Sequence, residues 1–389
     1  MTTHTDFVVS RIRQMQASPT MAVAKEAQRL RREGMDVVDF GPGEPDFDTP
    51  EHVRRAAAEA LEAGMTHYSP SRGFPQLLEA IAHKLERENG ISYDAATEIV
   101  VTPGAKQALV EAIFTCAGEG DEVIIFDPGW GSYDAIARLA GATPVHVQLL
   151  PSFEIDFDAL AAALTSRTKV IIVGTPGNPS GAVLSHDALG TLAALCIERD
   201  LILVADEIYE RITYGEACIS PASIPEMRDR TVTINGFSKA YAMTGWRLGY
   251  AAAPANLMAN MLKVHEHTVT SATAFAQIGA VAALEGPQEP IQAMVREFRA
   301  RRDLVVGLLN ALPGVTCAPP AGAFYVFPDI SGTGMTGTEL AHALLKVGVA
   351  LTPGVGFGER WDTHVRISYA TSEERIRTGL QRMETALPG

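Results

Sequence analysis

Lys239 stands in the string Gly236-Phe237-Ser238-Lys239-Ala240-Tyr241-Ala242-Met243-Thr244-Gly245-Trp246-Arg247-Leu248-Gly249, eight residues ahead of Arg247. A lysine amine condenses with an aldehyde to a Schiff base, and an arginine fork holds a phosphate. One ligand carrying both groups could therefore be bound and activated by this segment. Other residues stand at positions where they could complete such a site. Asp206-Glu207-Ile208-Tyr209 follows the apolar run Leu201–Ala205. Side chains just past the carboxyl ends of parallel strands face the ligand crevice, and an aspartate there can keep a nitrogen base protonated. Thr175-Pro176-Gly177-Asn178-Pro179-Ser180-Gly181 is a turn after another apolar run, Pro128-Gly129-Trp130 follows a third, and Gly104-Ala105-Lys106 opens a helical pattern. Small residues at a helix N-terminus expose backbone N–H groups to an anion. Each piece has an ordinary reading by itself: a solvated loop lysine, a helix-capping acid, a Pro/Gly turn, a core tryptophan.

These pieces must be positioned by regular elements, and the pattern supplies them. Strands are predicted at Val37–Phe40, Glu98–Val101, Glu122–Phe126, Val145–Gln148, Lys169–Val173 and Leu201–Ala205, with two more runs bracketing Lys239. Helical patterns at Thr20–Arg32, Pro50–Ala63, Phe74–Glu88, Ala105–Cys116, Phe157–Leu164 and His186–Glu198 alternate with them. Apolar strand cores alternating with helices predict a mostly parallel sheet covered on both faces. After Leu284 the rhythm changes to a long helix over Ile291–Leu312, short strands at Ala323–Phe327, Val349–Thr352 and His364–Ser368, and a last helix over Ser372–Leu387. The expected division is an N-terminal arm and part of a small domain over 1–46, a large sheet domain over 47–285, and a small α+β domain over 286–389.

Taken in order along the chain, these motifs resemble the class I aminotransferases, the fold-type I enzymes dependent on pyridoxal 5'-phosphate (PLP), from about Ser18 to Thr385. The resemblance implies an α/β type I PLP-dependent transferase fold and an amino-group transfer between an L-amino acid and a 2-keto acid. Lys239 would carry the Schiff base and move the proton, with Asp206 on the ring nitrogen and Tyr209 and Asn178 on the ring hydroxyl. Trp130 would stack on the ring. Gly104, Ala105, Lys106, Ser238 and Arg247 would hold the phosphate. Arg366, in His364-Val365-Arg366-Ile367-Ser368, would grip the substrate carboxylate with help from Gly43. Tyr68, in Thr66-His67-Tyr68-Ser69-Pro70, would reach the phosphate of a partner subunit, which implies a homodimer with shared sites. Ser18, Thr20 and Lys106 further resemble the subgroup that includes bacterial aspartate aminotransferases, where the lysine meets a second substrate carboxylate. A cation in the first turn of a helix opposes the helix dipole, which gives Lys106 a reason to face an anion. The chain departs from the family at Gly236, where many relatives carry a phosphate-binding serine, and at Gly129, where many carry an aromatic residue. The same residues would also serve β-elimination, replacement or cyclisation.

Totals exclude other classes. A net charge of −14 argues against nucleic acid or an anionic membrane as partner. It also argues, with the lack of room for a DNA-binding module, against a transcriptional sensor. Four scattered cysteines with no CxxC, and no apolar run of membrane-spanning or signal-peptide length, lead to the expectation of a cytoplasmic protein without metal. Gly332-Thr333-Gly334-Met335-Thr336-Gly337 has the spacing of a dinucleotide-binding loop, but Pro328-Asp329-Ile330-Ser331 separates it from the preceding strand, so it is read as a flexible turn. His265 and His267 lack further ligands for zinc.

Overall fold

The structure, a computed structural model, describes residues 8–13, 19–215 and 217–387. β-Branched runs such as Val123-Ile124-Ile125 and Val170-Ile171-Ile172-Val173 form the centre of a seven-stranded sheet. Its strands are β2 (Ile99–Thr102), β3 (Glu122–Asp127), β4 (Thr143–Gln148), β5 (Thr168–Gly174), β6 (Ile202–Asp206), β7 (Thr231–Gly236) and β8 (Gly249–Ala252), in the spatial order β2-β8-β7-β6-β5-β3-β4. Only β8 runs antiparallel to its neighbours. Alternate residues of each strand feed opposite faces. Val123 and Ile125 pack with Leu109, Ile113, Ile136 and Met261, whereas Ile124 and Phe126 pack with Leu160, Leu192 and Cys196. Each such fully buried aliphatic side chain contributes roughly 1.5–3 kcal/mol.

A second layer is built from both ends of the chain. β1 (Val38–Asp39) pairs in parallel with β10 (Val349–Ala350). β9 (Tyr325–Val326), β11 (Thr352–Pro353) and β12 (Val365–Ser368) form a three-stranded antiparallel sheet in the order β11-β12-β9. The helices Glu289–Asn310, Gly337–Lys346 and Glu373–Ala386 cover these strands. Their core holds Phe298, Phe324, Tyr325 and Tyr369, and it also takes in Val38 and Phe40 from the N-terminal segment and Ile208, Tyr209 and Ile212 from the loop after β6. The two layers thus share a core where the loop after β6 leaves the large sheet.

Several expected elements differ in detail. The strand expected over Val349–Thr352 is two, broken at Leu351, because residues 349 and 350 pair with β1 while Thr352 pairs with Arg366. The helix expected over Phe74–Glu88 is α-helical over Pro75–Lys84 and continues as a π-helical turn, Leu85–Asn89, closed by Gly90 at φ 69°. The glycine-rich stretch at 332–337 ends in a capping box, in which Thr336 and Glu339 cap the helix Gly337–Lys346. No helix among the described residues is long and apolar enough to cross a membrane.

Candidate active site

The carboxyl ends of the parallel strands open on one cavity of about 350 Å³, lined among others by Gly43, Ala105, Lys106, Trp130, Asn178, Asp206, Tyr209, Ser238, Lys239, Arg247 and Arg366. Asp206 is the last residue of β6, Lys239 lies three residues past β7, and Trp130 three past β3. Because β8 is antiparallel, Arg247 enters it from the same edge of the sheet, and Gly236 pairs with Gly249 there. Strands that end together thus gather residues 104 to 247 around one space.

Burial tunes the ionisable groups. Asp206 is buried, and burial pushes its carboxyl up to about 6 against hydrogen bonds from Tyr133 and the Ile208 amide and the charge of Lys239. Its Oδ2 accepts from the Tyr133 hydroxyl at 2.9 Å and its Oδ1 from the Ile208 N–H at 3.3 Å. Burial lowers the Lys239 amine to about 8, opposed chiefly by Glu44 and reinforced by the cations Arg247 and Arg366. That amine donates to the Gly43 carbonyl. An amine titrating near neutrality keeps a sizeable fraction of free base, which a nucleophile or proton carrier needs.

Beside Lys239 the turn is strained. Arg247 sits at φ 52°, a left-handed conformation that costs a non-glycine residue roughly 1–3 kcal/mol. Gly104, at φ 84°, caps the helix Ala105–Cys116 without a side-chain cap, and a β-carbon on it would lie 2.5 Å from the Arg247 guanidinium. The arginine therefore packs closely against the helix N-terminus, and both favour an anion in the cavity they line. Gly236 has a structural reason of its own. A β-carbon there would come within 2.9 Å of Gly249 Cα, so the close pairing of β7 and β8 leaves no space for the serine of many relatives. Ser238 is buried and lines the cavity instead.

The second layer closes the cavity. Arg366, buried on β12, donates to Asn178 Oδ1 at 3.0 Å and to the Gly41 carbonyl at 2.7 Å. Its guanidinium lies 4.5 Å from the Tyr325 ring and 5.0 Å from the Phe357 ring. Its Nε is buried without a hydrogen-bond partner. An orphaned donor of this kind costs about 1–3 kcal/mol, which an anion in the cavity would relieve. Tyr209 and Tyr325 share a hydrogen bond of 2.9 Å between their hydroxyls. Lys106 stands at the mouth with Nζ 4.6 Å from the Trp130 ring, and partial burial and Arg247 lower its pKa.

One of the residues singled out stands apart, and the side chains of two others are not described. Tyr68 is 89% exposed and does not line its own chain's cavity, although Ser69 beside it is tied to the Ala272 carbonyl and to Gln277. Ser18 lies outside the described residues, and Thr20 falls in the helix Pro19–Arg32 with its side chain undescribed. The sequence reading missed Tyr133, Tyr325, Phe357 and the Gly41 carbonyl. Tyr133 lies three residues beyond Trp130, at the start of the helix Ser132–Ala140, and that spacing could have flagged it. The others meet Arg366 only through the tertiary fold.

Comparison with known proteins decides the family. A profile of the family described as aminotransferase class I and II matches residues 35–383. The chain belongs to this family. The aminotransferase is 42% identical to an aspartate aminotransferase of Musicola paradisiaca (strain Ech703), over 98% of this chain and 96% of that protein. It is 44% identical to an aspartate/prephenate aminotransferase of Thermus thermophilus, over 97% of this chain and 98% of the other. The solved structure of Thermus thermophilus aspartate aminotransferase with maleate superposes with a TM-score of 0.93 at 43% identity, covering 98% of this chain and all of that one. The aminotransferase therefore has the type I fold of PLP-dependent transferases and is an enzyme that transfers amino groups.

Proposed function

We propose that the aminotransferase binds PLP on Lys239 and exchanges amino groups between dicarboxylic amino acids, aspartate or glutamate, and their 2-keto acids. The observation that carries this reading is the meeting of Lys239, Asp206, the Gly104–Arg247 cradle and the orphaned Arg366 Nε in one cavity. These groups fit the coenzyme: an amine of lowered pKa for its aldehyde, a carboxylate for its ring nitrogen, a helix N-terminus with an arginine for its phosphate. When bound, PLP supplies the electron sink that weakens bonds at the substrate α-carbon.

The chain's own residues do the rest. Asp206, whose carboxyl burial raises to about 6, would hold the proton on the ring nitrogen. Tyr209 and Asn178 would meet the ring hydroxyl, and Trp130 would cover one face of the ring. Arg366 takes the substrate carboxylate through Nε and its free guanidinium hydrogens, which fixes the orientation of the α-carbon. Lys239 would hold the coenzyme through its amine and, as a free base, would be the group placed to carry the substrate α-proton. The two layers shield these steps from bulk water.

Lys106 at the mouth is the reader of the second carboxylate. A flexible ammonium can hold an anion and swing aside for an uncharged side chain. The maleate in the name of the Thermus thermophilus structure is a dicarboxylate, which supports the same class. The exposed Tyr68 on an anchored loop supports a homodimer in which each subunit completes the other's phosphate site. All four cysteines are unpaired, which fits a reducing compartment such as the cytoplasm.

Amino donors screened against pyruvate, oxaloacetate and 2-oxoglutarate, read by product mass, test the substrate class. Lys106→Ala is expected to raise KM for dicarboxylates roughly ten-fold or more, as loss of a charge-assisted contact does, with little effect on neutral amino acids. An equal change for both classes, or a parent enzyme without dicarboxylate activity, would assign Lys106 to the phosphate or the fold.

A further inference from the structure

Among the groups that line the cavity, Tyr133 has no part in the steps above, yet it makes the shortest hydrogen bond to Asp206. It opens the helix Ser132–Ala140, is buried, and donates its hydroxyl to Asp206 Oδ2 at 2.9 Å. Its ring stands edge-on to Trp130, with centroids 5.5 Å apart and planes at 87°. The residue at the end of β5 is cut to fit it: a β-carbon on Gly174 would lie 3.0 Å from the Tyr133 hydroxyl oxygen. Gly174 has ordinary strand geometry, so the absence of a side chain serves the approach of the phenol and not the backbone. One phenol thus touches both the carboxylate assigned to the ring nitrogen and the indole assigned to the ring face.

We propose that Tyr133 is a positioning residue for the amino-transfer reaction, which through its hydrogen bond holds Asp206 as the ionised partner of the cofactor's ring nitrogen. This rests on the reading of the site given above. A buried carboxylate with no donor reverts to its neutral acid, since desolvation disfavours the charge. Around Asp206 the protein supplies two hydrogen bonds and one nearby cation, Lys239. The other acids and phenols nearby, Glu207 and Tyr209, feel the Asp206 charge as a repulsion. The Ile208 amide bond is the longer at 3.3 Å, which leaves Tyr133 as the strongest neutral donor. If that donor is lost, the proton shared between Asp206 and the ring nitrogen moves toward the carboxylate, and the ring becomes a weaker electron sink.

The test uses the holoenzyme loaded with coenzyme labelled with ¹⁵N in its ring, read by the ¹⁵N chemical shift. Tyr133→Phe is expected to move the resonance toward the free-base pyridine position, with a turnover loss of roughly ten-fold for one hydrogen bond to a charged group. Gly174→Ala, which keeps the phenol but displaces its hydroxyl, should move it the same way and stands in if Tyr133→Phe does not fold. Replacing Tyr133 with 3-fluorotyrosine, a stronger donor of the same shape, should not produce that shift. An unmoved resonance in Tyr133→Phe while Asp206→Asn shifts it overturns the inference, as does a 3-fluorotyrosine protein that behaves like the Phe variant. An unmoved resonance in Asp206→Asn overturns the reading of the site itself.

Discussion

The two walls of the cavity are built on different principles. The wall that carries Lys239, Asp206, Asn178 and Arg247 is the edge of a sheet whose strands run four to seven residues and are locked by long ladders. The wall that carries Arg366 and Tyr325 rests on strands as short as two residues, and side-chain contacts hold its arginine in place: two aromatic rings, one asparagine and the Gly41 carbonyl. On the proposed reading, the first wall would fix charges against the ring of a cofactor that stays. The second would present a partly unsatisfied cation to a substrate that comes and goes. On that reading, chemistry and recognition are separated onto two layers, which share a core around Tyr209 and its neighbours.

Substitutions on the two walls should separate in kinetics. The largest effect is expected from Arg366→Ala, which leaves a substrate carboxylate without its buried partner. Such truncations cost about 2–5 kcal/mol, or roughly 30- to 5,000-fold in kcat/KM, carried mainly by KM. Arg366→Lys keeps the charge but not the fork and should recover only part of the loss. Asp206→Ala belongs to the other wall and should lower kcat on the order of 10²-fold with little change in KM. Steady-state kinetics of the two variants, with the bound-coenzyme absorbance as control, decides the matter. If both change kcat and KM in the same proportion, the separation of the walls is wrong.

A smaller effect concerns stability without coenzyme. Asp206 binds its proton more tightly in the folded chain, at about 6 against 3.8 when exposed. The folded state therefore holds more protons than the unfolded one between those values, and stability falls as pH rises through that window. Asp206→Asn removes this slope. The apo variant should gain on the order of 2–3 kcal/mol over the parent above pH ~6 and nothing below pH ~4. Denaturant unfolding at several pH values measures it; a gain that is independent of pH would mean that the carboxylate is not penalised by burial.

The same contrast governs what could be read from the sequence. Along the sheet edge each candidate follows a β-branched run, so Asp206, Asn178, Trp130 and Lys239 could be placed at strand ends from pattern alone. Local signals also sufficed for Gly104, because glycine at a helix start has a backbone meaning. The second layer resisted. The run at 349–352 has one hydrophobic pattern but pairs with two different strands, a choice made by neighbours some 300 residues away in sequence for β1 and 14 residues away for Arg366. Tyr325 and Phe357 flank Arg366 across turns that carry no signature of that contact. Gly236 looked like a lost phosphate ligand and is a packing requirement of the β7–β8 pair. The spacing of Tyr133 from Trp130 could have pointed to the site, but nothing in the chain around it announces Asp206 as its partner.

Everything above turns on Lys239 being the residue that carries the coenzyme. Borohydride reduction of the PLP-loaded protein, followed by proteolysis and mass mapping, measures this directly. The account predicts a stable pyridoxyl-phosphate adduct on Lys239, in the peptide that contains Ser238 and Ala240. An adduct on Lys106 or Lys263, or on no lysine, would contradict it.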